Sequence, residues 1–258
     1  MVTAISYDGF DLNDGTYNTV DLNPMGSPSK KTTTLDLARA DGSLRVFQKF
    51  ASKNIILTGR IISDTKANLD LAIDALKMQM RREMGDLQYE WGNGVRIHNC
   101  TAVDVKCEKG PGNVSTCPFQ IVFECESPFA TDGVTDTWMN AAAITTSTSD
   151  MNITINGTMD AQPIITITVT AINPTISNVT MTVANTSNSQ YLDITSTFAA
   201  GDIVIIDCVN YRVFKNGVLI KSSGQFPYWA TGAGVLHYED TATTRTLAVT
   251  TTSERRYL

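Results

Sequence analysis

NIILTGRIISDTKANLDLAIDALKMQMRREMG, Asn54 to Gly85, carries two periodicities side by side, and together they set the fold class. Its opening, NIILTGRII (Asn54 to Ile62), is the most apolar strand candidate in the chain. After it, Leu69, Ala72, Ile73, Leu76, Met80 and Met84 recur at steps of three and four, which makes one apolar face of a helix over Asp64 to Gly85. Asp64 or Thr65 can cap its N-terminus, Arg81 and Arg82 sit near its negative end, and Gly85 can stop it. A methionine-bearing stripe could line a ligand groove; a helix laid on a sheet is the simpler reading and the one adopted.

Strands surround that helix. Thr32 to Ala38 and Leu44 to Phe50 flank an ADGS turn, and Leu87 to Trp91 precedes a WGNG turn. Arg96 to Glu108 and Ser115 to Glu126 then form a hairpin about KGPGN, Lys109 to Asn113. This hairpin holds four of the five cysteines. Counting back from its turn sets Cys107 close to Cys117 and Cys100 close to Cys125. No C-x-x-C pair is present, and only His98 and His237 could help to hold a metal, so small apolar packing is preferred to a zinc or redox site. The expected first domain, residues 1–130, is α+β, with a mostly antiparallel sheet and one helix.

Composition changes near Phe129 to Thr137. Of 35 threonines, 25 lie from Thr131 onward, and β-branched residues favour strands. Nine short strand candidates follow: Asn152 to Asn156, Pro163 to Ala171, Val179 to Ala184, Tyr191 to Ile194, Ile203 to Asp207, Tyr211 to Phe214, Val218 to Leu219, Gly234 to Glu239 and Thr246 to Thr251. Turn signals at Asn156-Gly157, Ala200 to Asp202 and Lys215 to Gly217 separate several of them. Such a series without a helix predicts a β-sandwich over residues 131–258. Thr135 to Asp150 reads as a linker or an edge segment.

The 258 residues carry a net charge of -6 and a pI near 4.9, the wrong sign for gripping nucleic acid through its phosphates. Neither a secretory signal nor an apolar run of about 18 residues is visible, so no membrane is expected. The chain shows no G-x-S-x-G, P-loop, H-E-x-x-H or dinucleotide fingerprint. Asp8, Asp11, Asp14 and Asp21 stand among Gly and Asn as turn residues do, without the spacing of a calcium loop. No enzyme, cofactor or metal is expected. Trp138, Tyr228 and Trp229 are the candidate contacts for a carbohydrate or a partner, with a buried loop anchor as the plainer role for Tyr228-Trp229 after Pro227.

The order of pieces resembles the distal tail proteins of long non-contractile-tailed phages, the baseplate-hub ring proteins of siphophages. In the first half the matching pieces are ISYDGFDL, RADGSLRV, NIILTGRIISDT with LDLAIDALKMQM, and FQIVFECESPF (Phe119 to Phe129). In the second they are NGTMDAQPIITIT, GDIVIIDCVNYRVFKNG, SSGQFPYWATGAGVLHY and the terminal RRYL. Gly232-Ala233-Gly234 departs from the G-x-N turn usual in the family. The resemblance implies an N-terminal barrel-like ring domain and a C-terminal galectin-like β-sandwich outside the ring. It also implies a structural virion protein at the tail tip, assembled in the host cytoplasm. Six copies would enclose a channel through which DNA passes without specific binding. The ring would join the tail tube protein to the tail hub and adsorption apparatus, and receptor-binding proteins are further expected partners. A carbohydrate-binding tail adhesin module is the alternative function.

Overall fold

The computed structural model describes residues 4–23, 28–36, 43–92, 94–110, 112, 115–140, 142–173, 178–187 and 189–258, with the side chains of 34–36 and 43–48 left aside. The expected ADGS, WGNG and KGPGN turns fall partly outside these residues. The protein is mainly β with one helix among the described residues. Its backbone divides into two compact units, Met1–Asp132 and Gly133–Tyr257.

The first unit contains β1 (Ile5–Tyr7), β2 (Phe10–Asp11), β3 (Tyr17–Asn23), β4 (Lys30–Asp36), β5 (Ser43–Phe50), β6 (Lys53–Ile62), α1 (Lys66–Gln79), β7 (Gly85–Trp91), β8 (Gly94–Cys107), β9 (Thr116–Cys125) and the start of β10 (Ala130–Met139). Seven strands pair antiparallel in the order β3-β6-β9-β8-β7-β1-β2. β4 and β5 make a separate ladder. Asp8 and Gly9, both at positive φ (49° and 79°), close the two-residue β1–β2 turn, as Asp-Gly does best. In β6 the alternation NIILTGRII turns Ile55, Leu57 and Ile61 inward and leaves Ile56 and Ile62 partly exposed.

α1 begins where Thr65 accepts the Asn68 N–H through its hydroxyl, and it buries Leu69, Ile73 and Leu76 in the sheet core. It is shorter than the periodicity suggested. The helix ends at Gln79, Met84 is exposed, and Gly85 opens β7 instead of capping α1. The reason lies in packing. A Cβ at position 85 would stand 2.9 Å from Cζ of buried Tyr7, so the glycine permits a close approach between β7 and that ring. Tyr17 secures the helix from the sheet, its hydroxyl donating to the Ala72 carbonyl at 2.9 Å.

The second unit holds β11 (Thr148–Ile155), β12 (Ile164–Asn173), β13 (Val179–Asn185), β14 (Gln190–Ser196), β15 (Ile203–Asp207), β16 (Arg212–Lys215), β17 (Val218–Ile220), β18 (Ser223–Gly224), β19 (Gly232–Asp240) and β20 (Thr244–Tyr257). One sheet runs β17-β16-β15-β12-β20-β10 and the other β11-β19-β13-β14-β18. Inward residues of both sheets, among them Ile165, Ile167, Leu247 and Val249 from one and Ile153, Val183, Ile194 and Tyr238 from the other, share a single apolar core. Two antiparallel sheets closed over one core make a β-sandwich. The segment from Thr135 to Asp150 is no linker: β10 occupies its first part, Ile144 bridges to Leu247, and β11 begins at Thr148. β10, paired with β20 on one side and touching β8 at Thr131 on the other, buries little, which is why no apolar alternation marks it.

Candidate functional site

The 207–211 turn after β15 is held by Asp207, whose Oδ1 accepts from the Val209 and Asn210 N–H groups. These bonds help to keep its carboxyl below the usual range, against the opposing effect of burial. The turn delivers Tyr211 in the left-handed region, φ 56°, and leaves the residue 62% exposed. Gln162 Nε2 donates to the Tyr211 hydroxyl at 2.9 Å, while Gln162 Oε1 accepts from the Arg256 guanidinium at 3.3 Å. The Tyr211 ring meets Phe226 edge to face, with centroids 5.6 Å apart, and Phe226 rests on the sandwich core.

The 224–228 segment completes the lining. Gly224, at φ 100°, lies against the Tyr191 carbonyl where any Cβ would collide. The Gln225 N–H donates to that carbonyl at 2.8 Å, and the Tyr228 N–H donates to Gln190 Oε1 at 3.1 Å. Asn185 Nδ2 donates to the Tyr228 carbonyl at 2.6 Å. A cavity of about 410 Å3 results, lined by these aromatics and amides with Pro227 and Cys208.

The three aromatics singled out in the sequence occupy different settings. Tyr228 is half-exposed and lines the cavity. Trp229 lies inside the core at 1% exposure; its backbone pairs with Ala161, its indole N–H has no acceptor among the described residues, and it fills the space Gly234 leaves. Trp138, on β10, is partly buried and packs against the same core. Sequence reading placed Tyr211 in a strand and passed over Gln162, Gln190 and Gln225. Their convergence from positions far apart has no local signature.

All five cysteines are free. Cys100 faces Cys125 across β8–β9, but an irregularity at Val103 shifts the register, so Cys107 faces Phe119 and Cys117 pairs with Ile61 of β6. The hydrogen bond from Cys100 pulls the Cys125 thiol down, with His98 and Lys53 adding to the effect, whereas Cys100 is pushed up. Burial pushes Cys208 up to about 12. Among the described residues no group of three or more His, Cys, Asp or Glu is arranged to hold a metal. His237 Nδ1 lies 2.6 Å from Asp150 Oδ1, a cross-strand pair set by the β11–β19 register. His98 is in the other unit, buried in the first sheet and stacked on Tyr89. Asp11 and Asp14 receive N–H groups of their own loop, as turn residues do.

Two ion pairs brace the sandwich. Arg245 binds Asp240 through Nε and Nη2 where both side chains are buried, and the Tyr238 hydroxyl donates to the same carboxylate at 2.8 Å. Arg255 makes a two-pronged pair with Asp136, tying β20 to β10 and holding the Asp136 carboxyl below its ordinary range.

Residues 137–257 match the family described as siphovirus-type tail component, C-terminal domain. Among solved structures, the Dit (gp 19.1) protein of phage SPP1 has the same fold, with a TM-score of 0.68 and 16% identity over 99% of both chains. That protein is described as a paradigm of the hub adsorption apparatus in phages that infect Gram-positive bacteria. The phage P2 baseplate activated with Ca gives 0.48 at 10% identity over 99% of this chain and 98% of that one. The phage p2 baseplate activated with Sr gives 0.42 at 10% identity over 96% and 97%. No curated protein matches the sequence.

Proposed function

We propose that this chain, a siphophage distal tail component by its C-terminal family match and its fold, forms a homohexameric ring at the tail tip. The match over residues 137–257 carries this reading. In it, residues 1–130 form the ring around a channel, and residues 131–258 form a galectin-like sandwich outside it. The ring joins the tail tube protein to the tail hub, offers its outer face to receptor-binding proteins, is assembled in the host cytoplasm and catalyses nothing.

Physical features of the chain support such a part. A closed ring needs heterologous interfaces, in which one patch meets a different patch on the next copy. The outer face of α1 presents Leu71 and Met78, which are 67% and 71% exposed and two turns apart, two large apolar side chains among the exposed Asp70, Asp74 and Lys77. The net charge of -6 suits a channel that repels DNA phosphates and so lets the duplex slide.

The test is the mass of the purified chain by light scattering, together with negative-stain images of tails. A species near six times the 28.1 kDa chain mass, with sixfold rings in tails, is expected. A single-chain mass across a wide concentration range, with no rings in tails, would overturn the proposal.

A further inference from the structure

The geometry points to a second role for the sandwich: the cavity between the 208–211 turn and the 224–228 segment is a binding site for a neutral pyranose sugar. The inference goes beyond the ring and does not depend on it.

The argument starts from Tyr211. A bulky residue at φ 56° is a backbone outlier that costs on the order of 1 kcal/mol or more. Burial does not offset that cost, because the residue is 62% exposed. Local contacts instead fix its direction: the hydroxyl is held by Gln162, and the ring packs edge to face with Phe226. The outcome is an exposed aromatic surface that is already oriented before any partner arrives, the arrangement that lowers the entropy cost of binding.

The lining chemistry selects the partner. Gln162, Gln190 and Gln225 bring three side-chain amides to one cavity, and an amide both donates and accepts, as a sugar hydroxyl does. Tyr211, Phe226 and Tyr228 supply apolar surface, the two tyrosines with polar tips, suited to a ring that is apolar on its C–H faces and polar at its rim. No residue lining the cavity is charged, and the neighbouring Arg256 contacts the Gln162 and Asp160 oxygens. A carboxylated or phosphorylated ligand would therefore lose hydration without a countercharge in the lining. The volume of about 410 Å3 falls in the ~300–1,000 Å3 range of small-molecule sites.

The experiment is saturation-transfer NMR on the full chain with methyl glycosides of glucose, galactose, N-acetylglucosamine and rhamnose. Transfer to at least one of the four is expected. Tyr211→Asn keeps a residue that accepts positive φ, so its melting temperature should stay near wild type while binding weakens about tenfold or more. Gln162→Ala should weaken the same glycoside through both its lost amide and a freed Tyr211 ring. Silence from all four glycosides, or undiminished transfer in a folded Tyr211→Asn chain, would overturn the proposal.

Discussion

Buried titratable groups make the sandwich and the sheet core vulnerable to alkali. Burial pushes the Cys208 thiol and the Tyr89 phenol each up to about 12, from ordinary values of 9.0 and 10.0. A raised acid of this kind favours its neutral form in the folded state. Its contribution is therefore complete below the unfolded pKa and is lost as pH rises toward the folded one. The melting temperature should fall between about pH 9 and 12, with Cys208 alone accounting for on the order of 4 kcal/mol across that window. Cys208→Ala should flatten the decline in a thermal-melt series; a slope identical to wild type would refute the assignment. Asp240→Ala strands Arg245 in the interior, and chemical denaturation should show a loss of about 3–5 kcal/mol. At this scale the sequence was informative where neighbours are local, as with Asp14 capping its own turn, and silent where they are remote. Nothing in the stretch DCVNY announces that Gln162 will reach Tyr211.

Elements were legible in proportion to how cleanly each separates an inside from an outside. β6 and α1 each bury one face, and their periods of two and about 3.6 stand out in NIILTGRII and LDLAIDALKM. β10 buries little on either face, so only its pairing with β20 and β8 defines it. The irregularity at Val103 inserts one residue into β8, and no count along the chain could foresee it. Glycines inside strands mark where backbones or rings approach closely. At Gly59 a Cβ would lie 2.5 Å from Phe119 Cζ and 2.6 Å from the Asn18 carbonyl oxygen, while at Gly85 its three nearest atoms would all belong to the Tyr7 side chain. Gly59→Ala should therefore cost more than Gly85→Ala, the latter about 1–3 kcal/mol by urea denaturation, because a ring can shift and a paired backbone cannot. Thr65→Ala should cost about 1 kcal/mol through loss of the α1 cap.

At the scale of the whole molecule, the described helix lies in the first unit, and the threonine-rich second unit builds two sheets over one core. The proposed ring would be a property of several chains, and a single chain shows only the surfaces it offers. Leu71→Asp with Met78→Asp changes two exposed positions, so the fold should persist while the assembled mass drops toward one chain. If the double variant still assembles as wild type does, the outer face of α1 is not a ring contact. The most direct test of the central claim is cryo-electron microscopy of the phage tail tip. The account predicts six copies of this chain in a closed ring coaxial with the tube, the first unit facing the channel and the sandwich outside. A tail tip that lacks the chain, or holds it as separate peripheral copies, would contradict it.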